Sequence, residues 1–427
     1  MKTADSFYHA HRVINERCNG RMKCVKACPT KAIRYRQGKV TYYSDLCIDC
    51  SECLNACPED VFVPVIDEIK DINHFKYLIA LPSPVLYTQF GLDISPALIH
   101  QAFKRLGFNE VIDLSDMRNE LNFALFHHVK NHNEKKPMII SYCPTIIRLI
   151  QVLYPNLVKN IAPFDVPREI KAKEIKMTYP QKLNLKPDQI GVIYVTPCPA
   201  KIVSIKQPAE KERSWIDSAI PVNDMYNLLL PEIMELQKEE SEYNFDNQKF
   251  HFSRGWVALG HVSSKDICPE RCLTVSGLDH VKKIFDDIEN SKLRDIDFVE
   301  ALACIQECLG GAFCVENPYL ARHNSILLQK KYGVMDNLNE EKIIKRYQQK
   351  FFFMEHPVLP RPTRHFDKDI ATSIKRMRQK EKIYLKLPLK DCGLCGAPTC
   401  ETFAEDCARG DADLTNCVFF AEKINLK

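Results

Sequence analysis

Cysteine is the residue that most constrains how this chain can fold, because 19 of its 427 residues are cysteines and most of them fall in tight groups. Disulfide scaffolds of such density belong to short secreted chains. This chain is long, and its first residues lack the apolar stretch of a secretory signal, so we expect no secretion. The groups have the spacing of thiolate ligands, and we therefore expect most of the cysteines to bind metal.

The remaining composition is that of an ordinary globular protein, with 45% hydrophobic and 27% charged residues. No apolar run approaches the roughly 18 residues that a transmembrane helix requires, so we expect no membrane span. With 59 Lys and Arg residues against 55 Asp and Glu residues, the charge is too even to indicate a nucleic-acid partner. The expected location is the cytoplasm.

Four segments of different character follow one another along the chain. Residues 1–70 and 389–427 hold dense cysteine groups. Between residues 71 and 337, short strands alternate with helices, which predicts an α/β domain with mainly parallel sheets in two lobes that divide near residue 205. Residues 338–388 are charged and predict a helical connector. The predicted fold class is α/β, with a small α+β domain before the central domain and a small cluster-binding domain after the connector.

Individual elements follow from hydrophobic patterns and from helix-terminating residues. The predicted strands of the central domain are 77–82, 137–141, 190–195 and 256–262. The predicted helices are 95–107, 115–132, 223–240 and 278–290, with a further helix at 401–409. Residues 33–43 predict a β-hairpin, because Gln37-Gly38 has the composition of a tight turn.

The first cysteine group is an internal repeat of about 29 residues. Its second half, with Cys47, Cys50, Cys53 and Cys57, has the full spacing of a bacterial ferredoxin. Three closely spaced thiolates wrap one cubane, and the fourth ligand comes from the other repeat. We therefore expect a [4Fe-4S] cluster that is held by Cys47, Cys50, Cys53 and Cys28.

The first half of the repeat departs from this pattern, because Arg21 stands where the second cysteine should be. An arginine stays protonated and cannot act as an ordinary ligand. The site then has Cys18, Cys24 and Cys57 only. A [3Fe-4S] cluster, a [4Fe-4S] cluster with one iron held by no cysteine, and an empty half-domain that only packs are all compatible with this set. We expect a cluster with one labile iron.

The last cysteine group has the spacing C-x2-C-x4-C-x16-C, formed by Cys392, Cys395, Cys400 and Cys417. It resembles the small four-iron domain of electron-transfer complexes and regulatory iron–sulfur proteins. Four thiolates also suit zinc, but the neighbouring ferredoxin pattern favours a [4Fe-4S] cluster. Cys407 falls inside the predicted helix, where we expect it to be a buried bystander.

Three further cysteine-bearing stretches of the central domain come at the ends of predicted strands. They contain Cys143, then Cys198, then the pair Cys304 and Cys308. Ligands usually collect at the carboxyl ends of strands in open α/β sheets. Four thiolates brought together from three loops can hold one cubane between two lobes.

These three stretches resemble, in order and separation, the signature loops of the [FeFe] hydrogenase large subunit. The flanking words Ser276-Gly-Leu and Val315-Glu-Asn-Pro fit as well, and the resemblance runs from about residue 5 to 335. With its last domain included, the chain is most similar to the sensory or regulatory members. In those proteins a signalling output domain follows where this sequence stops.

The resemblance implies that Cys143, Cys198, Cys304 and Cys308 hold the cubane of the H-cluster, the family's hydrogen-activating cofactor. Cys308 would bridge to the two-iron unit, which carries carbon monoxide, cyanide and a dithiolate amine. Lys201 matches the lysine that donates a hydrogen bond to a cyanide ligand. An ammonium group in that position stabilises an anionic ligand in a dry cavity.

Several residues depart from the pattern of active members. Tyr142 replaces the cysteine that passes protons to the bridging amine, and a phenol with its usual pKa near 10 is a poor relay at neutral pH. Ser204 replaces the relay glutamate. The other replacements in the three loops are Ile146 for a tryptophan, Thr196 and Leu302 for methionines, and Gln306-Glu307 for a glycine pair. Together they argue against a fast catalyst.

Two functional hypotheses follow from the resemblance. In the first, the complete H-cluster assembles, and the protein of an anaerobe senses or slowly turns over hydrogen and relays electrons to a redox or signalling partner. In the second, only the cubane is held, and the protein is an electron-transfer or scaffold module. A third interpretation, in which the loops are structural remnants, is disfavoured because all four cubane ligands are present.

A few candidate residues stay without a role at this stage. Cys268 and Cys272 have the spacing of a ligand pair but no obvious partner ligands, and Cys314 sits near the third loop, where it could approach the cluster cavity. His127 and His128 lie on a predicted helix, where we expect them at the surface or at the edge of the core rather than as ligands.

Overall fold

The computed structural model describes residues 7–131, 135–140, 142–239, 252–253, 269–335, 338–361, 366–367 and 369–420. The strands are β1 (His11–Val13), β2 (Ile33–Arg36), β3 (Lys39–Tyr42), β4 (Phe62–Pro64), β5 (Tyr77–Pro82), β6 (Glu110–Val111), β7 (Met138–Ile140), β8 (Ile190–Thr196), β9 (Ser218–Pro221), β10 (Phe252–Ser253), β11 (Cys272–Ser276), β12 (Phe298–Leu302) and β13 (Val334–Met335). The helices are α1 (Lys23–Ala27), α2 (Glu52–Ala56), α3 (Pro96–Arg105), α4 (Ser115–Asn131), α5 (Pro144–Leu153), α6 (Pro167–Leu183), α7 (Pro199–Lys206), α8 (Val222–Glu239), α9 (Leu278–Glu289), α10 (Pro318–Tyr332), α11 (Glu340–Gln348), α12 (Ile370–Tyr384) and α13 (Cys400–Arg409).

The chain folds into two compact units. The terminal unit combines Met1–Val65 with Pro360–Lys427, and the central unit is Ile66–Leu359. The segment predicted as a connector contributes to both, since α11 belongs to the central unit and α12 to the terminal unit. No local pattern in the sequence indicates that the two cysteine-rich ends join in one unit.

The terminal unit is built on two small antiparallel pairs, β2 with β3 and β1 with β4. The first pair is the predicted hairpin, and its turn residues Gln37 and Gly38 have φ of 50° and 77°. A positive φ at both turn positions matches the right-handed twist of the strands, which explains why glycine is favoured there. In the other half of the unit, α12 packs on α13.

Among the described residues, the central unit contains two larger parallel sheets, in the strand orders β6-β5-β8-β9 and β11-β12-β7, and the short parallel pair β10-β13. The predicted α/β class with mainly parallel sheets is therefore confirmed. The predicted division near residue 205 is wrong, because β7 lies in the second sheet and β9 in the first. A parallel strand needs a long crossover connection, so neighbours in sequence can enter different sheets.

Local sequence explains the best-predicted elements. Every residue of Ile190–Thr196 is buried, as expected for a parallel strand that is covered on both faces. The α3 helix begins where Ser95 accepts a hydrogen bond from the backbone N–H of Leu98 at 3.1 Å, with Pro96 in the first turn. Gly107 follows its end with φ of 93°. The predicted strand at 256–262 lies outside the described residues, as does Ser141.

Four helices that the pattern analysis did not identify help to frame the central unit. They are α5, α6, α7 and α10, and each begins with a proline in its first turn. Proline fits there because the first helical N–H groups have no partner within the helix. The α5 and α7 helices matter for function, because they start directly after Cys143 and Cys198.

Candidate metal centres

The four cysteines of the central unit all follow the carboxyl ends of parallel strands. Cys143 comes after β7 and immediately precedes α5, and Cys198 comes after β8 and immediately precedes α7. Cys304 follows β12, and Cys308 lies in the short 3-10 turn Glu307–Gly310. Since β8 belongs to one sheet and the other two strands to the second, the thiols approach from both sheets.

The electrostatics of these thiols show that they lie close together. Burial raises the pKa of Cys304 well above its usual value, and the neighbouring Cys143, Cys198 and Cys308 raise it further. The pKa of Cys198 is also raised, first by burial, with Cys143 and Cys308 adding to the shift. Thiols whose ionisation is disfavoured in this way need a positive centre to become thiolates, which is what an iron–sulfur core supplies.

Two glycines let the third loop approach the second. A Cβ added at Gly311 would lie 2.3 Å from the carbonyl oxygen of Pro197, and Phe313 donates its N–H to that same carbonyl at 3.0 Å. A Cβ at Gly310 would lie 2.3 Å from the carbonyl oxygen of Ile305. Gly311 therefore lets Cys308 come beside the Cys198 loop, and Gly310 lets the third loop fold back on itself. The donor set fits a cubane, because four soft thiolates suit iron–sulfur cores.

Lys201 points into this thiol site. Its Nζ lies 3.0 Å from Sγ of Cys308, and the residue is only 4% exposed. Burial lowers the pKa of Lys201, but the thiols of Cys308 and Cys198 outweigh it and raise that pKa well above the usual value. Lys201 therefore stays an ammonium group that donates toward the sulfur.

Tyr142 and Ser204 occupy the two positions that are expected to carry protons in active relatives, and both form other hydrogen bonds here. The Tyr142 hydroxyl donates to Oδ1 of Asn122 at 3.0 Å, and burial raises the Tyr142 pKa far above its usual value. The Ser204 hydroxyl accepts from Nη2 of Arg168 at 2.8 Å and donates to the carbonyl oxygen of Lys201 at 2.9 Å. Neither side chain can exchange a proton readily near neutral pH.

The other residues that differ from the pattern of active members are packed around the central thiols. Ile146, Thr196 and Leu302 are all buried, and Thr196 donates its hydroxyl hydrogen to the carbonyl oxygen of Cys198 at 3.0 Å. Gln306 and Glu307 have φ of 57° and 59°. The loop thus keeps a left-handed conformation in which glycine is favoured, although both glycines of the family pattern are replaced.

A buried charge cluster beside the thiols was missed at the sequence level. Burial raises the pKa of Glu307, while Arg118, Arg322 and Lys201 oppose the shift. Nη2 of Arg118 also lies 3.6 Å from Oε1 of Glu300. Arg118 is an interior residue of a predicted helix, and no local pattern distinguishes it from a surface arginine.

In the terminal unit, the complete ferredoxin-like set comes together in the crossed arrangement. Burial raises the pKa of Cys50 well above its usual value, and Cys28, Cys53 and Cys47 raise it further. The loop bends through left-handed turns at Asp49 and Ser51, which lets it wrap around a compact core. The donors fit a cubane.

The incomplete set also comes together. Burial raises the pKa of Cys24 to about 11, with contributions from Cys57 and Cys18. Nη2 of Arg21 forms an ion pair with Oε1 of Glu59 at 3.1 Å, with about half of the arginine side chain exposed. These three thiols fit a cluster with one iron that no cysteine holds, and Arg21 is already paired with a carboxylate.

A histidine–aspartate pair beside Cys47 was not anticipated. His9 Nδ1 lies 3.0 Å from Oδ2 of Asp49 and its Nε2 lies 2.8 Å from Oγ of Ser44, while His11 Nδ1 is 3.5 Å from Oδ1 of Asp49. Ligand atoms of His9, Cys47 and Asp49 fall within 4.8 Å of one another, as in a metal site. Because Cys47 also lies near the thiols of Cys28 and Cys53, the histidines are better explained as hydrogen-bond partners next to that site.

The last cysteine set surrounds the start of α13. Burial raises the pKa of Cys395, with contributions from Cys417 and Cys392. Cys400 is the first residue of α13, where Thr399 forms a capping box with Thr402. Cys392 is exposed. These four thiols suit iron–sulfur or zinc chemistry equally well.

The other cysteines and histidines lie as follows. Cys407 packs in the core around α13, and burial raises its pKa to about 12. Cys314 donates to the carbonyl oxygen of Cys308 at 3.3 Å, which places it beside the central site. Cys272 opens β11, and Cys268 lies outside the described residues. His128 is buried, with Nδ1 2.8 Å from the Tyr347 hydroxyl, as expected for a core-edge residue.

Among the helices that the structure describes, none is both long and apolar enough to cross a lipid bilayer.

Comparison with known families assigns three segments of the chain. Residues 76–263 match the model of the iron-only hydrogenase large subunit, C-terminal domain. Residues 17–62 match a 4Fe-4S dicluster domain, and residues 387–419 match a putative Fe-S cluster domain. The three matches contain all the candidate ligand cysteines of the four sites except Cys304 and Cys308.

Characterised relatives are distant. Iron hydrogenase 1 of Clostridium pasteurianum is 24% identical over 264 residues, which are 52% of this chain and 46% of the relative. An NADP-reducing hydrogenase subunit of Solidesulfovibrio fructosivorans is 24% identical over 183 residues, covering 38% of this chain and 31% of the relative. A cytosolic Fe-S cluster assembly factor of Xenopus tropicalis is 27% identical over 146 residues, with 31% of each chain covered. The chain spans less than half the length of each of these three relatives.

The fold is similar to that of solved hydrogenase structures. An [FeFe]-hydrogenase of Chlamydomonas reinhardtii aligns with a TM-score of 0.51 at 16% identity, covering 69% of this chain and 97% of that chain. This similarity shows a hydrogenase-like fold, and the family model that matches residues 76–263 is that of the family that the three cysteine loops resemble.

Proposed function

From its similarity to the [FeFe]-hydrogenase family, we propose that this chain is a sensory or regulatory iron–sulfur protein that binds hydrogen and turns it over slowly. The observation that carries the proposal is the 3.0 Å contact between the Lys201 ammonium and Sγ of Cys308 inside the four-thiol site. Such a buried cation is what an anionic ligand on a neighbouring two-iron unit requires.

The residues have distinct roles in this proposal. Cys143, Cys198, Cys304 and Cys308 would hold the cubane, and Cys308 would also be the ligand residue next to the two-iron unit. When bound, the two-iron unit supplies the metal at which hydrogen is split. Lys201 orients the unit and neutralises its charge, since its Nζ cannot leave the buried site without losing its sulfur contact.

Low turnover follows from the side chains around the site. Tyr142 donates to Asn122 and its raised pKa keeps it a phenol, so it cannot pass protons as a thiol would. Ser204 is held between Arg168 and a backbone carbonyl, and it has no carboxylate to continue a relay. A slow catalyst that still binds hydrogen suits a sensor better than an energy-converting enzyme.

The proposed role of the clusters in the terminal unit is electron transfer. We propose that they pass electrons between the central site and a redox or signalling protein. We propose that the protein works in the cytoplasm of an anaerobe, because the thiolates and cubanes of the terminal and central sites survive only where the surroundings are reducing.

A second candidate function rests on Glu307. This carboxyl group lies between two thiol ligands in sequence, is 7% exposed and has a raised pKa from burial. It adds volume and charge next to Cys308, where the two-iron unit would bind. If that unit is excluded, the protein holds only a cubane at this site and acts in electron transfer or cluster assembly.

Infrared spectroscopy of protein that is co-expressed with the hydrogenase maturases separates the two functions. Metal-bound carbon monoxide and cyanide bands are expected for the hydrogen-binding protein. A spectrum without these bands, from protein with a full complement of iron, contradicts the first proposal and supports the second. The matched control is Lys201→Met, which should weaken or abolish the bands while leaving the cubane in place.

A further inference from the structure

The two ends of the chain meet along the β2 strand of the terminal unit. Tyr35 donates its backbone N–H to the carbonyl oxygen of Gly396 at 2.9 Å. Gly396 follows Cys395 and has φ of 80°, and a Cβ added there would lie 1.6 Å from the carbonyl oxygen of Tyr35. The ligand loop that holds Cys395 is therefore pressed against β2 so closely that only glycine fits.

The ring of Tyr35 contacts a different loop, the one that contains Gly20. A Cβ added at Gly20 would lie 2.7 Å from the Tyr35 hydroxyl oxygen, so ring and loop are in direct contact. Gly20 lies between Cys18 and Cys24, in the loop of the incomplete ferredoxin-like site. Tyr35 also packs in the hydrophobic cluster that contains Cys18 and Cys24. One residue thus touches the ligand loops of both sites.

Lys26 makes a second bridge. It lies on α1 between Cys24 and Cys28, and its Nζ donates to the carbonyl oxygens of Asp391 and Pro398, at 3.3 Å for Pro398. These two carbonyls flank the loop that begins with Cys392. A Cβ added at Gly393 would lie 2.9 Å from Cε of Lys26, so the lysine stem runs along this loop.

We propose that the site of Cys392, Cys395, Cys400 and Cys417 exchanges electrons directly with the site of Cys18, Cys24 and Cys57, with Lys26 as the positioning residue that keeps the two ligand loops in contact. The inference rests on the iron–sulfur part of the proposed function, and it does not depend on hydrogen binding. In each transfer, one electron leaves one cluster and reduces the other. No bond forms or breaks, and no proton moves.

In this proposal, the incomplete site lies between the last cysteine set and the complete ferredoxin-like site on the electron route. Cys53 and Cys28 of the complete ferredoxin-like site pack in the same hydrophobic cluster as Cys24, so the complete site adjoins the incomplete one. Electrons pass from the last cysteine set to the incomplete site and from there to the complete site, or in reverse. Because Arg21 leaves one iron of this intermediate cluster without a cysteine, loss or gain of that iron changes the cluster and hence electron transfer along the whole route.

Electron paramagnetic resonance of the full chain, reconstituted anaerobically without maturases, tests the proposal. Two nearby reduced clusters interact magnetically, so the reduced wild-type protein should give a broadened spectrum. Cys395→Ser removes the last site and should narrow the signal of the incomplete site, and Cys24→Ser removes the incomplete site and should narrow the signal of the last site. Signals that keep their wild-type line widths in both variants would overturn the route. Absence of any iron–sulfur signal would instead contradict the proposed function itself.

The positioning role is tested with Lys26→Met and the matched control Lys23→Met. Both lysines are exposed residues of α1, but only Lys26 has a described contact with the last ligand loop. Lys26→Met should weaken the magnetic interaction and slow intercluster transfer about tenfold in rapid-freeze reduction, as expected for a small displacement of two reacting centres. Lys26→Arg, which retains the donor, should restore both measurements.

Iron content serves as the folding check for these variants. If Lys26→Met retains its iron and its interaction spectrum is the same as that of the wild type, the role of Lys26 is refuted. An equal loss of interaction in Lys23→Met would refute it as well, because the effect would then come from general loosening of α1. If Lys26→Met loses iron, Lys26→Gln, which keeps a shorter donor, takes its place in the same comparison.

Discussion

Arg34 and Asp406 form a buried ion pair between the two ends of the chain, although they are 372 residues apart in sequence. Nε of Arg34 lies 2.5 Å from Oδ2 of Asp406, and Nη2 lies 3.2 Å from Oδ1. Nη2 of Arg36 also lies 2.5 Å from Oδ2, and the Tyr43 hydroxyl is 3.3 Å from Oδ1. The carboxylate side chain is only 1% exposed. The hairpin of the first cysteine group and the helix of the last one thus share a single anionic centre.

Replacing Asp406 should separate the two halves of the terminal unit. In Asp406→Asn, two arginines lose their charged partner, and Arg34 stays buried, which costs about 3–5 kcal/mol for a buried ion pair. The measurement is the urea midpoint for loss of visible iron–sulfur absorbance. The control is Glu405→Gln on the same helix, where a partly exposed pair with Arg409 should contribute no more than about 0.5 kcal/mol. Equal midpoints for the two variants would contradict the role of Asp406.

The sequence predicted elements well where local chemistry determines them. The hairpin turn at Gln37-Gly38 and the start of the helix after Ser95 were both recognised from residues within a few positions. The thiol sites were found for the same reason, because ligand spacing within a loop is a local property. Even the crossed pairing of Cys28 with the second loop followed from a rule of the motif.

What could not be predicted depends on contacts between distant segments. Nothing around Arg34 or Asp406 shows that they will meet, since a buried arginine looks like a surface arginine in sequence. Arg118 and Glu300 are a second case, in which a charge pair lies beside the central thiols. The division of strands between the two sheets was wrong because connectivity in parallel sheets is not local.

Restoring a thiol at position 142 should raise hydrogen evolution. Tyr142→Cys replaces a phenol of raised pKa with a group that ionises more readily, and a positioned proton donor contributes about a hundredfold or more to such reactions. The measurement is hydrogen evolution from a reduced dye with fully matured protein. Tyr142→Phe is the control and should leave the low rate unchanged.

The residue Ser204 limits how much hydrogen evolution can increase in Tyr142→Cys. If its contact with Arg168 interrupts the rest of the path, the single variant stays slow and the pair Tyr142→Cys with Ser204→Glu is needed. A wild-type rate that already matches fast hydrogenases would show that neither replaced position limits proton transfer. No increase in either variant would refute the explanation based on the relay.

Glycine at position 306 should stabilise the central unit. Gln306 has φ of 57°, which costs a non-glycine residue about 1–2 kcal/mol, while glycine loses about 0.5–1 kcal/mol in chain entropy. Gln306→Gly is therefore expected to gain up to about 1 kcal/mol, seen as a higher urea midpoint. Gln207→Gly is the control, since its φ of −146° gives no such relief and the change should destabilise. A lower midpoint for Gln306→Gly would mean that the side chain is needed in the loop.

A cysteine at position 21 should complete the middle iron–sulfur site. Arg21→Cys supplies the missing fourth thiolate and breaks only a partly exposed pair with Glu59. We expect the oxidised protein to lose any three-iron resonance signal and to keep its iron in the presence of a mild chelator. Arg12→Cys, which adds a thiol on the exposed side of β1, is the control and should not alter either measurement. Unchanged iron retention in Arg21→Cys would indicate that the site holds no cluster.

The stability of the central unit should fall as the pH rises toward neutrality, because of a buried carboxyl group. Lys211 faces the three carboxylates of Asp165, Glu169 and Glu210, so one ammonium group cannot balance them all. Burial raises the pKa of Asp165 to about 7, against an opposing effect of Lys211. Ser214 and Trp215 donate hydrogen bonds to Glu169, which leaves Asp165 as the group that keeps the proton.

The sign follows from proton linkage. A folded-state pKa above the unfolded one means that folding binds a proton, so this contribution is complete below about pH 4 and is lost as the pH passes through 7. We therefore expect the urea midpoint of the central unit to be higher at pH 5 than at pH 8, with most of that difference removed in Asp165→Asn. Asp188→Asn, at an exposed site outside this cluster, is the control and should retain the wild-type dependence. If Asp165→Asn showed the same pH dependence as the wild type, another group would have to hold the proton.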